Sequence, residues 1–327
     1  MYDRSQRRPR LRRVLAGLVA ALLAGTVYAV VQASPSRPAP PSATTSGVNS
    51  AAAPPSASAS PAAPPPAPVP APAVAAAAPA AAPSTGSTGS NPVQVATSAI
   101  GSQLGTAIAG IISANSQYQV GVALIDLGNG ALHQYGVEEP FEAASTAKIL
   151  TAAAYYQLVE AGAASLDDPL GNYTSGFQLQ EMVQDSDNDS WSLLMDAVGH
   201  PRLRAYAASI GVTYDPEVNT LSTGDMAHIL AQLYTGKLLD QEHTAQLLSY
   251  MQNTNDEDLI PAAVPDNVTV FHKYGLLDDE LHDAAILTEG AASFVLVVYT
   301  KGQDLSDDPE RTAVIHDITR TVTAALF

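Results

Sequence analysis

Ser145-Thr146-Ala147-Lys148 places a serine and a lysine three residues apart at the head of a long apolar run. In a helix, residues i and i+3 share one face. A serine alcohol is a poor nucleophile until a base takes its proton. A lysine amine can be that base where burial or a second cation lowers its pKa. A helix N-terminus adds N–H groups that favour developing negative charge. The chemistry would be nucleophilic attack through Ser145. The bland alternative for the same tetrapeptide is a helix N-cap with a surface lysine.

Two further clusters could complete such a site. Ser186-Asp187-Asn188, inside Gln184–Asp189, offers a hydroxyl to relay a proton and an amide to hold a substrate; it also reads as an acidic turn capping a helix near Ser190. His272-Lys273-Tyr274-Gly275 ends a strand-like run. There Lys273 would supply a positive charge beside a cleft, and Gly275 would let backbone approach closely. The alternative is an edge lysine that discourages strand pairing.

The elements that must position these residues follow from periodicity. A helical pattern covers 93–114. Strands are expected at Tyr118–Leu127 and Ala131–Gly136, with Gly128-Asn129-Gly130 as the hairpin between them. Ser145–Ala161 is helical, and shorter helices fill 177–252. Strands return at Val268–Tyr274, Ala284–Leu287 and Ser293–Thr300, before a last helix at Asp308–Phe327. Strands flanking a helical middle make an α+β pattern in which the first and last strands can share a sheet.

Ser-x-x-Lys, Ser-Asp-Asn and Lys-x-Gly in that order resemble the motif set of serine β-lactamases and penicillin-binding proteins, and class A β-lactamases in particular, over about 118–327. Thr223–Ala227 through Tyr234–Gly236 resembles that family's helix after its active-site loop, and His282–Ile286 with the strand ending at Lys301-Gly302 resembles its closing strands. The resemblance implies a β-lactamase/transpeptidase-like α+β fold. An antiparallel sheet is flanked by helices, an all-helical lobe stands beside it, and the active site lies between. It implies Ser145 as nucleophile, Lys148 as its base partner, Ser186 as proton relay, and Asn188 as a substrate-amide ligand. Lys273 is implied as the cation near the relay serine and the substrate carboxylate, and the N–H groups of Ser145 and Leu276 as the oxyanion hole.

Two departures stand out. The family has Thr or Ser after the lysine of the third motif, where its hydroxyl helps bind the substrate carboxylate; here Tyr274 stands there, either against ligand or packed in the core. The family's deacylating glutamate lies in Glu-Pro-Glu-x-Asn; here the run is Asp215-Pro216-Glu217-Val218-Asn219. If the elements correspond, Asp215 is the deacylation base with one methylene less, a shortfall of ~1 Å that can cost ~10²-fold. Otherwise the run is an acidic surface turn. The loop after it is shorter than in the family.

Composition bounds the rest. Arg4, Arg7, Arg8, Arg10, Arg12 and Arg13 precede an uncharged apolar run, Val14–Val31. Residues 1–33 therefore read as a signal peptide or membrane anchor, cytoplasmic at its start. Residues 34–92 hold 16 of the 24 prolines among Ala, Ser, Thr and Gly, with Arg37 the only charge. Such a segment is a linker, able in polyproline II form to reach on the order of 100 Å or more. Residues 93–327 are the catalytic-domain candidate, with 8 Lys and Arg against 31 Asp and Glu. That charge opposes binding to nucleic acid and anionic membrane surfaces. With no cysteine, disulfides and thiolate chemistry are excluded.

The expectation is an exported, monomeric serine hydrolase without cofactor or metal. It would be acylated on Ser145 by β-lactams or D-Ala-D-Ala-like amides and would hydrolyse the adduct. The alternatives are a slow-deacylating penicillin-binding protein or DD-peptidase acting on peptidoglycan stem peptides, and a non-catalytic wall-binding domain on the same fold.

Overall fold

Along each central strand the side chains alternate between two separate apolar clusters. Ala123 and Ile125 face one, while Val120, Val122 and Leu124 face the other. In the last strand, Val295, Val297 and Tyr299 face the first cluster, and Leu296 and Val298 the second. A sheet buried on both faces needs near-continuous apolar strands, which is why 293–300 shows little alternation. The computed structural model describes residues 100–327. The readings of 1–33, of 34–92 and of the start of the first helix lie outside the described residues.

Five antiparallel strands form the main sheet: β1 (Gln119–Asp126), β2 (Ala131–Gly136), β7 (Thr269–Leu277), β8 (Glu280–Glu289) and β9 (Ala292–Lys301), in the order β2-β1-β9-β8-β7. The first and last strands do share the sheet, since β1 pairs with β9 from Gln119↔Lys301 to Asp126↔Phe294. The β1–β2 hairpin turns at the Gly-Asn-Gly run, where Asp126 O accepts from Asn129 N and Gly130 N. Two-residue pieces complete the strand set: β3 (Phe141–Glu142) with β6 (Thr220–Leu221), and β4 (Pro169–Leu170) with β5 (Tyr173–Thr174).

Helices α1 (Ser102–Ala114) and α8 (Asp308–Leu326) cover one face through Leu104, Ile108, Val314, Ile315, Ile318 and Val322. The other face packs on α2 (Lys148–Glu160), α6 (Thr223–Tyr234) and a helical lobe of α3 (Ser175–Gln184), α4 (Asn188–Val198), α5 (His200–Ser209) and α7 (Gln241–Tyr250). Every residue of α2 from Lys148 to Tyr156 is buried. A helix apolar on all sides belongs inside the protein, and this one carries its single cation at the end nearest the sheet.

Two expected boundaries shift. The Ser145–Ala161 helix begins as a 3₁₀ turn, Ala144–Ala147, and becomes α-helical only at Lys148. The strand expected to end at Tyr274 runs on to Leu277, and the one expected at Ala284 begins at Glu280. Asp278, with φ +48°, makes a tight hairpin between them, so the pairing continues past the glycine.

Candidate active site

The nucleophile candidate sits on a kinked approach to α2. Ala144, the residue before Ser145, has φ +48°, a left-handed conformation that non-glycine residues rarely adopt. Thr146 Oγ1 locks the turn from below, bonding Ala143 O at 2.6 Å and the Tyr299 hydroxyl at 2.5 Å. Asn219 holds it from the side: its Nδ2 donates to Ala144 O at 3.0 Å, and its carbonyl accepts from Ala143 N at 2.8 Å.

The third motif closes on the same turn. A Cβ added at Gly275 would lie 3.1 Å from Ala144 Cβ and 3.2 Å from both Ala143 O and Ser145 N. The glycine is therefore required by close approach. β7 is the free edge of the sheet, and His272 N donates away from β8, to Met251 O at 2.8 Å. Antiparallel alternation turns the N–H groups of Tyr274 and Leu276 to that same outer side. Leu276 N–H thus leaves the sheet beside the Ser145 turn.

The second motif supplies the opposite wall. Ser186 has φ +57°, and Asp187 caps α4 by accepting Ser190 N on Oδ1 at 2.6 Å. The acidic turn does cap a helix, and the same cap sets Ser186 and Asn188 toward Lys148. Lys148 is fully buried; its Nζ donates to Ser186 O at 2.5 Å, Asn188 Oδ1 at 2.8 Å and Ser186 Oγ at 3.2 Å. It also lies 5.1 Å from the centre of the Trp191 ring. The bland alternative of a surface lysine is therefore set aside. Burial pulls Lys148 down to about 8, with the Asp187 charge opposing.

Lys273 is buried too. Burial and the neighbouring Lys148 charge lower it to about 7 against Asp283 and Asp256. Its Nζ donates to Tyr274 O at 3.1 Å and stands 3.7 Å from the centre of the Tyr274 ring. The Tyr274 hydroxyl donates to Asn255 Oδ1 at 2.5 Å.

Ser145, Lys148, Ser186, Asn188, Lys273, Tyr274, Gly275 and Leu276 are thus gathered where the Ser145 turn, the α3–α4 link and β7 meet. Asp215 is engaged elsewhere. Its Oδ1 accepts from Arg204 Nη2 at 3.3 Å and from Glu217 N at 3.0 Å, and its side chain is about half exposed. The loop meets the nucleophile turn through Asn219 instead.

Two contributors carry no motif signal. Trp191 and Asn255 are single residues, and their contacts follow only from the fold. Behind Lys273, buried His272 bonds Asp283 Oδ1 at 3.0 Å through Nδ1, and Thr254 Oγ1 at 3.1 Å and Glu257 Oε1 at 3.3 Å through Nε2. Burial pushes the His272 imidazole down, but Asp283 and Glu257 outweigh it and raise it to about 9. His282 and Asp283, adjacent in sequence, point to opposite faces; His282 Nε2 bonds Glu142 O at 2.9 Å. Among the described residues one group could present several ligand atoms to a metal: Glu160, Asp240 and His243, at the far end of α2 from Ser145. Their mutual bonds cap α7 and tie it to α2.

The sequence profile described as the beta-lactamase enzyme family matches residues 103–326. The chain belongs to the beta-lactamase enzyme family. A beta-lactamase of Proteus vulgaris is 30% identical over 246 residues, covering 64% of this chain and 90% of the relative. Beta-lactamase OXY-2 of Klebsiella oxytoca is 29% identical over 246 residues, 64% of this chain and 84% of the relative. An ancestral (GNCA) class A beta-lactamase superposes with a TM-score of 0.63 at 26% identity, over 68% of this chain and all of that one. The structure of PBP-A superposes at 0.64 with 22% identity, over 68% and 96%, a likeness of fold. This beta-lactamase-family domain is a class A-like serine hydrolase, and its α+β architecture is the one the three motifs imply.

Proposed function

We propose that the protein is an exported serine hydrolase whose Ser145 is acylated by β-lactams or by amides resembling D-Ala-D-Ala. The observation that carries this reading is the buried Lys148 amine, held between Ser186 and Asn188 with its pKa lowered to about 8. An amine poised near neutrality can accept the Ser145 proton, directly or through Ser186. Ser186 then passes a proton to the leaving nitrogen, and Asn188 orients the acyl-side amide. The N–H groups of Ser145 and Leu276 receive the developing oxyanion. Export rests on the arginine-rich start and the apolar Val14–Val31, with 34–92 as spacer between membrane and catalytic domain.

Slow release from Ser145, as in a penicillin-binding protein or DD-peptidase, is the second reading. It is favoured by Asp215, whose Oδ1 already accepts from Arg204 and from Glu217 N. Intact-mass spectrometry of the full chain mixed with penicillin G, followed in time, tests both. The first reading expects a Ser145 adduct that disappears with product release; a lasting adduct supports the second. No adduct and no product with either penicillin G or its methyl ester, or an adduct that survives Ser145→Ala, rejects both.

A further inference from the structure

Among the described residues Lys273 is the cleft lysine that gives no hydrogen bond to Ser186 or Asn188, whereas Lys148 gives its bonds to both. An anionic end of a substrate therefore has Lys273 to meet. Yet Lys273 has no exposed surface. One side of its ammonium is covered by the Tyr274 ring at 3.7 Å, and one of its protons is taken by Tyr274 O.

The ring is tethered over the ammonium. Its hydroxyl bonds Asn255 Oδ1, and Asn255 is anchored across the cleft: Nδ2 donates to Asp185 O at 2.6 Å and the backbone N donates to Gln184 O at 3.1 Å. The chain of contacts Lys273, Tyr274, Asn255, Asp185 therefore runs from β7 to the residue before Ser186. Asp185 and Asp256 both act on Tyr274, while the charge of Lys148 acts on Lys273 from the other motif wall. A carboxylate reaching Lys273 would have to displace a ring from a cation, break the Asn255 bond and sit beside two like charges, each of which costs free energy.

We propose that Tyr274 is a specificity determinant: tethered by Asn255, it closes Lys273 to carboxylates, so that the site selects acyl donors with no free carboxylate on the leaving-group side. The selected class is neutral amides and esters, β-lactam esters included. This rests on acylation at Ser145.

The test uses a matched pair, penicillin G and its methyl ester, with the full chain. Acylation rate constants come from intact-mass time courses for wild type, Tyr274→Thr, Asn255→Ala and Ser145→Ala. Wild type is expected to be acylated faster by the ester. Tyr274→Thr should raise the ratio of acid to ester rate constants about tenfold or more, the scale of one charge-assisted hydrogen bond regained. Asn255→Ala, which loosens the ring by removing one of the two side-chain partners of its hydroxyl and leaves Ser186, should raise the ratio by a smaller factor, and it carries the test if Tyr274→Thr does not fold. A wild-type preference for the acid, or a ratio unchanged in both variants, overturns the specificity inference while leaving Ser145 acylation standing. Absence of any Ser145-dependent adduct or product with either compound overturns the inference together with the functional reading beneath it.

Discussion

Asn219 Nδ2 donates to Ala144 O at 3.0 Å across 75 residues of chain, and this bond fixes the residue on which the nucleophile turn pivots. Asn219 is itself held at φ +52°, and its Oδ1 accepts from the Tyr214 hydroxyl at 3.0 Å. The Asp-Pro-Glu-Val-Asn run thus reaches the site through its last residue, while its first faces Arg204.

Replacing that clamp should affect both stability and chemistry. Asn219→Ala loses the two side-chain hydrogen bonds and forces alanine into the left-handed region, for an expected loss of ~2 kcal/mol. Asn219→Gly loses the same two hydrogen bonds but takes the left-handed conformation without strain. Urea denaturation should rank wild type above Asn219→Gly above Asn219→Ala, and both variants should be acylated more slowly than wild type.

Gly275→Ala probes the approach of β7 to the same turn. Its Cβ would come within 3.2 Å of Ser145 N and Ala143 O, both backbone atoms that cannot rotate away. The strand must therefore withdraw by a few tenths of an ångström, which separates Leu276 N–H from Ser145 N–H. A drop of ~10²-fold in the acylation rate constant is expected, since acyl transfer tolerates little misplacement of its donors. Equal rates for wild type and variant would show that this edge does not bound the oxyanion.

The pH profile of acylation follows from Lys148. Only the neutral amine accepts a proton, so the rate should climb as pH rises through about 8 and level off above it. The Asp187 charge raises the Lys148 value; Asp187→Asn, which keeps an oxygen to cap Ser190 N, should move this limb to lower pH. Rates measured from pH 6 to 10 check the direction, and a limb shifted upward would contradict the assignment of Lys148 as base.

The buried His272–Asp283 pair should appear in stability rather than in rate. His272 binds its proton more tightly in the folded state, with a value raised to about 9. Its contribution is therefore fully present below its unfolded value near 6.5, and is lost as pH rises through about 9. His272→Ala leaves Asp283 buried without its cation and should cost ~3 kcal/mol at pH 7. Denaturation at pH 7 and pH 10 should show a smaller wild-type-to-variant gap at the higher pH.

Much of this was legible along the chain. The apolar alternation and the Gly-Asn-Gly turn locate β1 and β2, and the near-continuous run at 293–300 marks a strand covered on both faces. Strand ends were less legible. Gly275 looks like a stop, but its register is held by pairing with His282 on β8, a long-range contact. The left-handed residues Ala144 and Ser186 carry no sign in their residue types, because tertiary packing imposes those conformations.

By itself the sequence determined the residue types and order of the three motifs, and with them the family and the serine chemistry it implies. Those follow from side-chain identity and local spacing, which chain order preserves. Only the tertiary structure decided where each group points. It sent Lys148 to Ser186 and Asn188, turned Asp215 toward Arg204, brought Asn219 onto the nucleophile turn, and laid Tyr274 over Lys273 under the hold of Asn255. Most of those contacts join residues far apart in the chain, and burial, not spacing, sets the charge each lysine carries.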